Sequence, residues 1–223
     1  LMDYLSRCQP DYWQMSVRQR SVLQLGRTCG FDEAHAQNVA ALALELFDSA
    51  REAGLHSLNA AEREWLHSAA LLHDVGAFLS YNSHHAHTYY IISNAELLGF
   101  DQTEVAIIAA TALFHRKAFA GPRRPEFAAL DRRAQKIVRV LSVLLRMAEN
   151  LNRGHTNVVR HASLRAAGDS TAPGLRCAAQ ARRPRRMRMY LRTARPTPGC
   201  CSYRMSGRCA SKRSWARSRR PSW

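Results

Sequence analysis

The sequence has no run of 18 apolar residues, so it offers no membrane-spanning helix. It has no basic stretch followed by an apolar one near its start, so no secretory signal is visible; it begins with Leu1 rather than Met, as a piece of a longer protein would. Only Cys8 and Cys29 precede residue 160, which excludes a disulfide framework there and fits a reducing cytoplasm. Asn-Gly and similar hairpin dipeptides are missing from residues 16–153, as is sustained apolar/polar alternation, so strands are not expected. The 11 glycines are isolated from one another, and no glycine-rich phosphate loop can be built from them. Acid is nearly absent after residue 160: residues 160–223 hold 17 Lys and Arg against Asp169 alone, whereas residues 1–159 hold 16 of each sign. The net charge of +16 therefore belongs to the last 64 residues, and the isoelectric point near 10.6 describes a tail.

What is present from residue 16 to 153 is helical periodicity. Apolar positions recur at helical spacing, and caps and glycines punctuate them. Helices are expected over about Ser16–Thr28, Asp32–Ala53, Asn59–His73, His85–Leu97, Gln102–Phe114 and Glu126–Leu151. Ser16 and Asn59 read as N-caps, Asn59 with Glu62 as a capping box, and Gly30 and Gly54 as C-terminal stops. The buried face of the last helix reads as Ile137, Val138, Leu141, Leu144, Leu145 and Ala148. Short connections make this an all-α, compact bundle of about six helices, with the domain at 1–160 and an Arg-rich, low-order tail at 161–223. Three readings of the tail stand side by side. It is a solvated disordered arm, a nucleic-acid-binding arm, or GC-rich DNA translated out of frame from about residue 175. Nucleic acid is a partner only if the tail is genuine.

Ten histidines occur, and several line up with acids along the bundle: His35, the dipeptide His73-Asp74, His84 and His87, His115, and Glu149. A His-Asp dipeptide means little alone, but here it follows Leu71-Leu72 and precedes Val75-Gly76. The apolar run buries the helix end, and a buried Asp is costly unless paired or metal-bound. Imidazoles and carboxylates from several helices can converge on a divalent metal (Mn, Mg, Fe or Zn) in a bundle.

The arrangement resembles the HD superfamily of metal-dependent phosphohydrolases. More closely, it is similar to the C-terminal HD-like domain of the exopolyphosphatase / guanosine pentaphosphate phosphohydrolase (Ppx/GppA) family. The resemblance rests on Arg18–Val22, Leu46-Phe47-Asp48, Leu71–Gly76, His84–Ile91, Gly99-Phe100, Phe114–Lys117 and Leu145–His155, in order over roughly residues 1–160. It implies that His35, His73 and Asp74 are metal ligands, with His87 and His115 as the extra histidines of two-metal sites. Glu149 stands where Asp is usual, and Asn152 where Asp is frequent. The resemblance also implies polyphosphate or guanosine polyphosphate as ligand, a cytoplasmic setting and a dimeric parent. It places the family's catalytic centre in N-terminal actin-like domains that this sequence does not contain. Arg116, Lys117, Arg123 and Arg124 then read as phosphate-binding. Two functions remain open. One is a module that holds the polyanion for catalytic domains elsewhere. The other is a metal-dependent phosphohydrolase in its own right, acting on a nucleotide or other phosphate ester.

Overall fold

Most helix starts among the described residues are set by side-chain caps. The computed structural model describes residues 14–116, 120–167, 174–181 and 187–191. Helix α1 (Val17–Thr28) opens on a capping box in which Ser16 and Gln19 bond each other's backbone N–H. Asp32 caps α2 (Glu33–Glu52), and Asn59 with Glu62 forms a second box at α3 (Ala60–Leu72). Gly30 and Gly54 follow α1 and α2 at φ +62° and +72°, as C-terminal stops require. A short 3-10 turn (Val75–Phe78) leads to α4 (His84–Asn94). Helix α5 (Gln102–Leu113) carries a third box, from Asp101 and Glu104.

The long last helix expected from Glu126 is divided. A single turn, α6 (Pro125–Ala128), precedes α7 (Arg132–Leu151), because the Asp131 side chain takes the Ala134 N–H and starts a new helix. The expected buried face of α7 is buried at every position named above. It packs on α2, α3 and α5, and Phe47, Leu66, Leu72, Ile108 and Leu145 lie fully buried at the centre. The bundle of helices is thus the one that the periodicity predicts. None of the helices among the described residues is long and apolar enough to cross a membrane.

Past residue 158 the chain does something that its sequence does not announce. It forms three antiparallel strands, β1 (Val159–Ala167), β2 (Gly174–Ala181) and β3 (Met187–Leu191), in the order β1-β2-β3. Leu164 pairs with Cys177, and Cys177 with Met189. The free edge of β1 is capped by α2: Glu45 accepts the Ala162 N–H at 2.7 Å, and Ser49 accepts the Leu164 N–H at 3.0 Å. Val159, Ala162 and Leu164 are buried in the same core as the helices. The expected domain boundary at 160 thus falls within β1, and β2 and β3 lie in the part of the chain read from sequence as the tail. Residues 192–223, part of the tail for which three readings stand, lie outside the described residues.

Candidate metal centre

The end of α3 is pinned to the start of α4. His73 closes α3, and its carbonyl accepts a hydrogen bond from Thr88 Oγ1 at 3.0 Å. Thr88 Oγ1 in turn accepts the Gly76 N–H at 2.9 Å. Gly76 is needed for space, not for a turn: a Cβ there would stand 2.1 Å from the His84 carbonyl oxygen and 2.3 Å from the Thr88 nitrogen. Ser83, in the left-handed region at φ +59°, starts α4 and sets His84 on the buried stripe with Thr88 and Ile92.

This junction gathers the site. Glu149, from α7, places Oε2 3.1 Å from His35 Nε2 and 3.3 Å from His73 Nε2. Asp74 places Oδ1 3.1 Å from His84 Nε2 and 3.6 Å from His115 Nε2, and its other oxygen 3.5 Å from His73 Nε2. Two adjacent triads result, His35, His73 and Glu149, then Asp74, His84 and His115, and His35, Asp74 and His155 make a third close group. The His73 ring is the link, with its centroid 5.3 Å from that of His35 and 5.2 Å from that of His115.

The donors fit a divalent cation. Two ligands each about 2.1 Å from one ion lie about 3.0 Å apart in octahedral and about 3.4 Å apart in tetrahedral geometry. The His35–Glu149, His73–Glu149 and His84–Asp74 separations fall in or near that range. His35 Nε2, His73 Nε2, His115 Nε2 and Glu149 Oε2 are buried without a hydrogen bond, an arrangement that native cores seldom keep. The far ring nitrogens are anchored: Nδ1 of His73, His115 and His84 lies 2.7, 2.6 and 3.0 Å from the carbonyls of Ala70, Ala112 and Tyr81. An Nδ1–H donated to a carbonyl leaves the Nε2 lone pair aimed inward, as metal-binding histidines require. His35 differs, since its Nδ1 lies 3.0 Å from the Asn152 amide.

The charges are strongly coupled. Burial opposes ionisation of both carboxylates, yet the imidazoles around them hold Asp74 and Glu149 well below the usual carboxylate range. Burial also works against a charged His73, but Glu149 and Asp74 override it and raise this imidazole. His115 is pushed down to about 3 by burial and then by the neighbouring His73.

The centre is the floor of a cleft of about 510 Å³, whose walls include Phe31, Phe78, Tyr81, Arg116, Arg153 and His155. Of the residues singled out from the sequence, His35, His73, Asp74, His115 and Glu149 meet here. His87 does not: it is half-buried beside the stripe, and His84, four residues before Thr88, takes its place. Arg116 reaches the site, 3.2 Å from His84 Nε2. Arg123 and Arg124 are exposed and are not among the cleft-lining residues, and Lys117 lies outside the described residues. His155 is about half exposed but stacks on His35 at 3.8 Å and faces Asp32 at 3.3 Å. Its backbone, left-handed at φ +50° without a glycine, gave no signal in the sequence.

Residues 17–186 match the family described as Ppx/GppA phosphatase, domain III, a span that takes in β1 and β2. A guanosine-5'-triphosphate,3'-diphosphate pyrophosphatase of Pseudoalteromonas translucida (strain TAC 125) is 29% identical over 135 residues, 60% of this chain and 27% of its own length. The protein of the same name from Aeromonas hydrophila subsp. hydrophila is 29% identical over 130 residues, 58% of this chain and 26% of its own. The chain thus spans about a quarter of the length of these curated relatives.

Proposed function

The chain belongs to the Ppx/GppA phosphatase domain III family, and from that premise we propose that it is the phosphate-holding module of a phosphoanhydride hydrolase. In this reading His35, His73, Asp74, His84, His115 and Glu149 form an HD-type centre for one or two divalent cations (Mn, Mg, Fe or Zn). The cleft above them takes polyphosphate or a guanosine polyphosphate, and cleavage is carried out by N-terminal actin-like domains of a longer, cytoplasmic parent. The observation that carries the reading is the set of buried donors without hydrogen bonds on the floor of a cleft walled by Arg116 and Arg153.

A cation held there supplies positive charge to phosphate oxygens and acidifies a neighbouring water. The protein's own groups do the rest. Arg116 offers a planar set of N–H donors beside His84, suited to bridging two phosphate oxygens. Arg153 adds charge at the exposed wall. Asp74 touches His73, His84 and His115 at once, so it sets the spacing between the two triads.

A second reading is favoured by those triads being adjacent: the module itself would cleave a phosphate ester or anhydride, with His35, His73 and Glu149 holding one cation and Asp74, His84 and His115 a second, whose charge would assist displacement at phosphorus. One experiment separates the two. Full-length protein is mixed with polyphosphate or guanosine 5'-triphosphate,3'-diphosphate and Mn²⁺ or Mg²⁺, and both retention and phosphate release are measured. A holding module binds the polyanion only with metal and releases no phosphate above background. A hydrolase releases phosphate and loses that activity in His73→Ala. Binding that ignores metal and survives His73→Ala contradicts both.

A further inference from the structure

Residues 77–83 are exposed without a break between two tightly held positions, Gly76 and His84. Three of them are large and apolar: Phe78 is 64% exposed, Leu79 55% and Tyr81 73%. Leaving three such side chains in water within four residues forfeits burial energy, and exposed runs of this kind mark contact surfaces. Phe78 and Tyr81 line the cleft, together with Phe31. The Tyr81 ring centroid lies 5.4 Å from that of His84, and the Arg116 guanidinium carbon lies 5.8 Å from the Tyr81 ring centre. The exposed aromatic lip is therefore one ring away from the imidazole–carboxylate floor and borders the cation on the wall. A floor and wall suited to phosphate, joined to open aromatic faces, match the two halves of a nucleotide: an anionic chain and a flat base.

We propose that the loop 77–83 is a nucleobase platform. Phe78 and Tyr81 stack the base of a nucleoside polyphosphate whose phosphates lie on Arg116, Arg153 and the floor. The inference rests on the reading of the cleft as a phosphate site and adds that the cleft distinguishes a nucleotide from an inorganic chain. Inorganic polyphosphate has no face to lay on these rings and gains nothing from them. Stacking is tolerant of base identity, so the platform selects nucleotides as a class.

The test is calorimetric titration of the full chain, in Mn²⁺, with guanosine 5'-triphosphate,3'-diphosphate and separately with inorganic tripolyphosphate. The Phe78→Ala, Tyr81→Ala double variant is compared with wild type; both side chains are exposed, and circular dichroism checks the fold. The nucleotide is expected to bind about 5- to 150-fold more weakly to the double variant, the usual value of one stacked base, while tripolyphosphate affinity holds within about twofold. Tyr81→Phe is expected to keep the nucleotide affinity. An unchanged nucleotide affinity in the double variant, or an equal loss for both ligands, overturns the platform and leaves the phosphate cleft standing. Wild type that binds tripolyphosphate alone also overturns the platform. Wild type that binds neither ligand overturns the phosphate reading and the platform with it.

Discussion

Glu149 Oε2 lies 3.3 Å from His73 Nε2, so the last turn of α7 meets the C-cap residue of α3 at two buried atoms that have no hydrogen bond. Such a pair fits two ligands sharing one ion, as proposed above, and Glu149→Gln tests it. The variant keeps the volume and removes the charge. It is expected to weaken Mn²⁺ or Zn²⁺ binding by at least about tenfold, since even outer partners of a metal site cost that much. Competition with a chelating dye checks it, and an unchanged affinity removes Glu149 from the ligand set.

Asn152 faces His35 Nδ1, where a carboxylate would accept an N–H and raise the basicity of Nε2. Asn152→Asp is therefore expected to tighten metal binding by about tenfold. The Asn157 amide, now paired with Asn152, is expected to turn over to donate to the new carboxylate. The same dye competition reads the change. Weaker binding would show that the amide already serves His35 best.

Gly76 and Gly30 differ in what they forbid. A Cβ at Gly76 meets backbone atoms of His84 and Thr88, whereas Gly30 has open space but φ +62°. Gly76→Ala is expected to cost about 3 kcal/mol or more through forced displacement of α4. Gly30→Ala is expected to cost about 1 kcal/mol, through backbone strain alone. Urea midpoints of the two variants decide the order, and equal costs would contradict the packing account.

His56 provides a pH test away from the cleft. Leu58 N–H donates to its Nδ1, so its Nε2–H donates to the Phe47 carbonyl, and both nitrogens are used in the neutral form. Burial lowers its pKa from the usual 6.5. The unfolded chain then binds a proton before the folded one does, so stability falls as pH drops below 6.5. His56→Gln is expected to be less stable at pH 7 and to lose less stability between about pH 7 and pH 5. Denaturant midpoints at the two pH values read this slope, and a slope as steep as in wild type would contradict it.

Much of this was legible before any coordinates. The caps at Ser16 and Asn59 follow from local chemistry, and the α7 stripe from a period of 3.6. His73-Asp74 and Glu149 were legible as members of an ordered pattern. The structure brings His84 rather than His87 to the cluster, although both lie at the start of one helix. Which of them points inward depends on the left-handed turn at Ser83, and no serine advertises that turn. The strands were hidden for a different reason. The buried residues of β1 include the small Ala162, and the α2 side chains of Glu45 and Ser49 satisfy its edge, so no strong alternation is needed to hold it.

On the proposed reading, His35, His73, Asp74, His84, His115 and Glu149 hold a divalent metal. The most direct measurement is elemental analysis of the purified full chain beside a His73→Ala, Asp74→Ala double variant whose helical content is verified. One or two divalent ions per chain in wild type, and none in the variant, is the predicted result. A folded wild-type chain that stays free of Mn, Fe and Zn after incubation with each, and equally so of Mg, would contradict the account.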